Sequence, residues 1–301
     1  MKDVIIIGAG PAGLTAGLYA TRAGLKTIVL AGAELGGQLL LTQKIENFPG
    51  FRTASGIDLI ETIKAQAQEM GAEIVREKAL AVNLSKRPFK IKTESHTYAT
   101  KTLILAMGAK ARWLGIKGED KFKGKGVSVC ATCDGFFYRG KVVAVIGGGA
   151  SAVYEALLLM KIVKEVIIIC RENRLIGDET LIRRLQENSK VRIIYNAEVK
   201  EFLGDKKLQS IKIHQNKQEM EISVDGAFVA IGSDPDSALV KEQLKLDKWG
   251  RIKTNKETGQ TSVMGVFAAG DVQQSGTRQA ILAAASGCLA ALSAKEYLLE
   301  K

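Results

Sequence analysis

The chain has 301 residues, with 43 Lys and Arg against 32 Asp and Glu, for a formal net charge of +11. That length suits two domains of ~100–200 residues each, and 46% apolar with 25% charged residues excludes a disordered chain or a collagen-like repeat. Four cysteines make no secreted disulfide framework and point to a reducing compartment, and two histidines disfavour a multi-histidine metal centre or a histidine triad.

Residues 4–21 carry no charge and follow Lys2, the outline of a signal peptide. Gly8, Gly10, Pro11 and Gly13 interrupt them, however, and Pro11 breaks any helix begun earlier. A strand, a tight turn and a helix reaching Ala23 are expected instead, then an apolar run over 27–30. No membrane segment and no export signal is read, so a cytoplasmic protein is expected. Further on, 56–71 places Ile60, Ile63, Ala67 and Met70 at helical spacing, and 73–104 alternates like short strands around a turn at Arg87-Pro88.

The opening pattern then recurs. An apolar strand over 142–146 leads into Gly147-Gly148-Gly149-Ala150-Ser151-Ala152, a helix over 153–163 and an apolar run over 166–169. Each copy reads as a βαβ unit with a G-x-G-x-x-G/A fingerprint: Gly8, Gly10 and Gly13, then Gly147, Gly149 and Ala152. The first small residue permits the turn, the second lets the backbone approach a pyrophosphate, and the third lets helix pack on strand. The phosphates face the N–H groups at the helix start. Two copies in this context point to two dinucleotides rather than two close-packed turns.

A helix near 179–187 and strands over 191–229 follow, and 277–299 reads as a long Ala- and Leu-rich helix packed on the first sheet. Connecting segments near 112–117 and 232–237 imply that the chain crosses between domains twice. The fold class is thus α/β, with two Rossmann-like dinucleotide-binding domains, the second (113–237) inserted into the first (1–112 and 238–301).

Cys130-Ala131-Thr132-Cys133-Asp134 is the chemical centre. A C-x-x-C spacing serves redox cycling, half of a metal site or a buried structural thiol pair. Zinc needs two further ligands, and Cys170, Cys288, His96 and His214 show no ligand spacing. A flavin site in the same chain argues against an inert pair.

Gly8-Ala-Gly-Pro-Ala-Gly13, Gly36-Gly-Gln38, Glu46-Asn47-Phe-Pro-Gly50, Cys130-Ala-Thr-Cys-Asp134, Gly147-Gly-Gly149, Ala269-Gly270-Asp271 and Arg278-Gln279-Ala280 occur in this order from end to end. In these landmarks the sequence resembles the low-molecular-weight thioredoxin reductases, of the FAD-dependent pyridine nucleotide-disulfide oxidoreductase family. The resemblance implies a homodimer with one FAD per chain, and electron flow from flavin through Cys130–Cys133 to thioredoxin or a thioredoxin-like protein. It places Cys133 nearest the flavin, makes Cys130 the attacking thiol and gives Asp134 the acid–base role. It assigns FAD to Gly8, Gly10, Pro11, Ala12, Gly13, Glu34, Gly37, Gln38, Asn47, Gly108, Gly270, Asp271, Arg278, Gln279 and Ala280. NADH or NADPH falls to Gly147, Gly149, Ala150, Ala152, Arg171 and Glu172.

One stretch departs from the pattern. Where NADPH-using members carry His-Arg-Arg-x-x-x-Arg, this chain has Cys170-Arg171-Glu172-Asn173-Arg174-Leu175-Ile176. A carboxylate repels a 2′-phosphate, whereas an acid 20 residues past Ala152 suits a free ribose 2′-hydroxyl. Residues 110–141 also hold eight basic and three acidic side chains. Such a stretch attracts an acidic protein, whether thioredoxin or a ferredoxin acting as donor, or is simply a solvated lysine-rich surface. No nucleic-acid motif accompanies it. A ferredoxin-dependent flavin thioredoxin reductase, a flavin electron carrier and a redox sensor are the competing readings.

Overall fold

Strand β1 (Lys2–Ile7) ends in four consecutive apolar residues, Val4 to Ile7, each no more than 5% exposed. Their side chains alternate between two cores: Val4 and Ile6 pack with one cluster, Ile5 and Ile7 with another. A parallel strand covered on both faces has no polar side, which is why the run does not alternate in sequence. The computed structural model describes residues 1–32, 35–42, 44–274 and 278–300. The chain divides into two compact units, Met1–Lys110 with Asp234–Lys301, and Ala111–Ser233.

In the first unit β1 lies in parallel between β2 (Thr27–Leu30) and β6 (Thr97–Leu105), with β3 (Glu73–Val75) beyond β2. The end of β6 also pairs in parallel with β17 (Val266–Ala268), and its start pairs antiparallel with β5 (Phe89–Thr93), which pairs with β4 (Ala79–Asn83). One face is covered by α1 (Pro11–Arg22), α2 (Gly56–Glu69) and α7 (Ala280–Leu299). Small residues bring two of these close: a Cβ on Gly287 of α7 would stand 2.0 Å from Ala12 O in α1.

Helix α7 packs chiefly on α1 and less on β6 and β17, which corrects the expected seat on the sheet. Its length and mean hydropathy of 1.2 would suit a membrane crossing, but Ala290, Ala291 and Ala294 are fully buried in the core of this unit. Met70, expected at helical spacing with Ile60, Ile63 and Ala67, is the C-cap of α2 and 47% exposed, because Gly71 at φ 97° ends the helix there.

The second unit repeats the plan. Its parallel sheet runs β11 (Val191–Ile194), β10 (Glu165–Ile169), β9 (Val142–Ile146), β15 (Gly226–Val229) and β8 (Val127–Ser128). Alternate residues of β9 and β10 again serve two cores. Three antiparallel strands, β12 (Ala197–Gly204), β13 (Leu208–Gln215) and β14 (Gln218–Ser223), form a separate sheet. The helices are α3 (Glu119–Phe122), α4 (Ala131–Asp134), α5 (Ala150–Leu159) and α6 (Glu179–Gln186). Helix α5 starts at Ala150 rather than 153, so the end of the fingerprint is itself the first helical turn. The chain passes between the units at Lys110–Ala111 and Ser233–Asp234, within the paired short strands β7 (Ala109–Ala111) and β16 (Ser233–Pro235).

Candidate active site

The first fingerprint sits where β1 ends. Gly8 adopts φ 108°, and a Cβ there would lie 2.2 Å from Ala106 O, so both conformation and space demand glycine. A Cβ on Gly13 would lie 1.8 Å from Gly8 O, so turn and helix touch only because it is absent. Gly10 is different. Its backbone is extended (φ −79°, ψ −173°), and the nearest protein atom to a Cβ would be Gly36 O at 3.8 Å. Packing within the described residues therefore leaves this position free for a side chain; a ligand lying against the start of α1 would need the space.

The second fingerprint reproduces the division of labour. Gly147 has φ 139°, and its Cβ would lie 2.5 Å from Ala230 O. Ala152 is fully buried, and Gly149, extended at φ −90°, has no described atom within 4 Å of a Cβ. Both helices that follow lack a side-chain N-cap and an acidic residue in the first turn. Helices α2 and α6, by contrast, are capped by Ser55 and Asp178. Open N–H groups beside a glycine cradle suit a pyrophosphate. Both cradles fit a dinucleotide.

Other expected FAD residues gather near the first cradle. Gly270, at φ 71°, closes on Ala12, where a Cβ would come within 3.0 Å of Ala12 Cβ, and its N–H donates to Ser286 Oγ (2.8 Å). Asp271 follows; burial raises its pKa and Arg278 opposes the shift. Asn47 Nδ2 donates to Gln279 Oε1 (3.2 Å), joining two expected residues that lie far apart in sequence. Gln279 is the N-cap residue of α7, makes no capping bond, and leaves the N–H of Ala280 at the helix start open. Gly37 and Gln38 begin a short 3-10 turn and are exposed. Pro11 is the first residue of α1, Ala150 the first of α5, and Gly108 follows β6 at φ 72°. Glu34 lies outside the described residues.

In the second unit Cys130 and Cys133 are joined by a disulfide, with Cα atoms 5.3 Å apart. Cys130 is the N-cap of α4, and its sulfur accepts from Cys133 N–H at 3.2 Å. Ser128, at the end of β8, ties the turn to the acid: it accepts from Cys130 N–H (3.1 Å) and donates to Asp134 Oδ2 (2.6 Å). Burial raises the Asp134 pKa and the Ser128 bond opposes it. Tyr138 is pushed up to about 12 by burial, with Asp134 and Asp225 adding to the shift. A carboxyl whose proton is held more tightly by burial, beside two cysteines, is suited to thiol–disulfide exchange, where a leaving thiolate must be protonated. Among the described residues no group of three or more His, Cys, Asp or Glu is arranged to hold a metal.

Residues 2–287 match the family of pyridine nucleotide-disulphide oxidoreductases. The chain belongs to this family. A thioredoxin reductase of Rickettsia conorii is 46% identical over 98% of this chain and 97% of its own. A solved thioredoxin reductase from Giardia duodenalis superposes with a TM-score of 0.95 at 40% identity, covering 99% of both chains. Another from Streptococcus pyogenes gives 0.94 at 35% identity, over 100% of this chain and 99% of the other. The α/β class with two Rossmann-type domains, read from the repeated fingerprint, is the fold of the family. Pyridine nucleotide-disulphide oxidoreductases of the thioredoxin reductase kind use FAD and NADPH.

The stretch over 170–176, expected to meet the nucleotide's ribose, is held by packing at one end and exposed over 171–174. Cys170 is fully buried, and its sulfur fills the space beside Gly148, 2.3 Å from where a Cβ would stand. Arg171 and Glu172 form an exposed ion pair, Nε to Oε1 at 3.4 Å. Sequence reasoning missed Ser128, Ser286 and Glu155. Ser128 meets the Cys130 N–H two residues away and Ser286 the Gly270 N–H sixteen away, and a single serine at either position forms no motif. Glu155 follows the second fingerprint on an apolar helix, and a lone acid there was a signal left unread.

Proposed function

We propose that the protein is a flavin-dependent thioredoxin reductase: two electrons pass through Cys130–Cys133 to thioredoxin or a thioredoxin-like protein. The observation that carries this reading is the disulfide at the start of α4, coupled through Ser128 to the half-buried Asp134, in a chain with two dinucleotide cradles. The first unit is assigned to FAD and the second to NADH or NADPH. The enzyme is further assigned as a cytoplasmic homodimer.

Bound FAD supplies the electron pair that opens the disulfide. Gly10 and the first turn of α1 would hold its pyrophosphate, Asp271 would accept hydrogen bonds from its hydroxyls, and the open start of α7 would favour negative charge. Once the dithiol is formed, the Cys130 thiolate attacks one sulfur of the partner's disulfide. That S–S bond breaks, and the leaving thiolate takes the proton held by Asp134. Cys133 then attacks the Cys130 sulfur, the mixed disulfide breaks, and the reduced partner departs as Cys130–Cys133 re-forms. Ser128 keeps Asp134 in place beside the reacting turn.

Replacing Cys130 by Ser separates the steps. The variant is expected to retain flavin bleaching by the donor and to lose thioredoxin reduction by at least ~10³-fold, the scale of losing a covalent nucleophile. Retained turnover with thioredoxin removes Cys130 from the reaction and overturns the reading.

A further inference from the structure

The redox turn has a second half-buried acid. Glu155 projects from α5, the helix that packs on α4, and its carboxyl faces the N–H of Ala131, the residue after Cys130. Its Oε2 is buried without a hydrogen-bond partner. Of the turn's N–H groups, that of Cys130 goes to Ser128 and that of Cys133 to the Cys130 sulfur, while that of Ala131 lies toward the Glu155 carboxyl. An acid with an unanswered oxygen, set against the backbone between two cysteines, is costly to keep for packing alone.

We propose that Glu155 is a positioning residue of the disulfide centre, which as a neutral acid leaves the start of α4 able to face a cysteine anion and as a carboxylate opposes that anion. This rests on the reading of Cys130–Cys133 as a redox pair. Burial raises Glu155 to about 8, and the Ala131 N–H works against the rise. Other ionisable groups on elements packed against α5 include Cys130 at the N-cap of α4, Cys133 and Asp134 within it, Glu165 of β10, and Glu179, Arg183 and Arg184 of α6, and Tyr138, Cys170 and Tyr195 share its core cluster; β9 offers none.

The balance is simple. The disulfide, two electrons and one proton give one thiol and one thiolate. Where Glu155 is ionised, the new anion makes it take up a second proton, and reoxidation by the partner's disulfide returns that proton to the departing thiolate. Ionisation of Glu155 and of the cysteine therefore oppose one another, and each shifts the other's titration by the same amount.

The test is thiol reactivity, read without turnover. Wild-type and Glu155→Gln proteins are reduced with dithiothreitol, desalted anaerobically and alkylated with iodoacetamide from about pH 5 to about pH 10, a span that brackets the thiol range. Cys130 is followed by mass spectrometry. The amide introduced by Glu155→Gln still offers Ala131 an acceptor but cannot ionise. The Cys130 profile is expected to move down by about half a pH unit, a roughly threefold faster alkylation near pH 8, and to lose the second inflection. Superimposable profiles overturn the inference and leave Glu155 a packing residue. If Glu155→Gln fails to fold, Glu155→Asp carries the comparison: its shorter carboxyl is withdrawn from Ala131, and the same downward shift, smaller, is expected, an unchanged profile overturning the inference. A wild-type pair that dithiothreitol cannot open overturns the reductase reading as well, so the two failures are distinguishable.

Discussion

On the proposed assignment of the second cradle to a pyridine nucleotide, Glu172 falls where a 2′-phosphate would need a cation. Its ion pair with Arg171 is exposed and contributes at most about 1 kcal/mol, so the guanidinium is readily redirected while the carboxylate stays to repel a phosphate. NADH is therefore expected to bleach the flavin faster than NADPH in anaerobic stopped-flow mixing. Glu172→Arg should reverse the order, with a change in the preference ratio of about tenfold or more. A native preference for NADPH would falsify the assignment of Glu172. Bleaching by reduced ferredoxin alone would show that the second cradle is not the donor's entry. The same local reading extends to Cys170, which the buried contact with Gly148 explains as packing.

Among the helices, the contrast between capped and open starts separates structural from ligand-bearing elements. Ser55 and Asp58 form a complete capping box on α2, with Ser55 Oγ accepting from Asp58 N–H at 3.1 Å and Asp58 accepting from Ser55 N–H at 3.1 Å. Ser55→Ala is expected to cost about 1 kcal/mol, equally with and without FAD, as thermal unfolding in both states will show. Saturating FAD should raise the melting temperature of both proteins alike, because the starts it completes are elsewhere; a cost that vanishes on FAD binding counts against this division. Much of this level was legible. The β1–α1 and β9–α5 units stood out because a glycine turn between an apolar run and a helix is a local signal. The start of α5 and the exposure of Met70 were not, since periodicity does not register where an extended Gly149 or a left-handed Gly71 sets a helix end. Ser286 escaped because the backbone group it meets is distant in sequence, Ser128 because a lone serine beside a motif carries no pattern of its own, and Glu155 stood in view as a lone acid on an apolar helix.

For the molecule as a whole the net charge of +11 invites an acidic partner. The basic stretch over 110–141 is less free than its composition implies. Lys117 pairs with Glu201 at 2.7 Å, Lys123 with Asp120 at 2.5 Å, and Lys121 donates to Gly204 O at 3.0 Å. Glu201 comes from β12, a strand distant in sequence, so counting charges along the stretch could not find it. Steering by what is left unpaired should still show: kcat/KM for thioredoxin is expected to fall severalfold between about 20 and 300 mM salt, with kcat nearly unchanged. A flat profile would assign the lysines to solvation alone.

The open starts of α1 and α5 also bear on how long the protein lasts. Binding free energy at a ligand-completed helix adds to folding free energy, so a copy without its flavin samples opened conformations more often. Those conformations are what cellular proteases cut. Riboflavin supply then governs how many copies a cell keeps, in addition to how many of them work: vitamin shortage removes the enzyme as well as idling it.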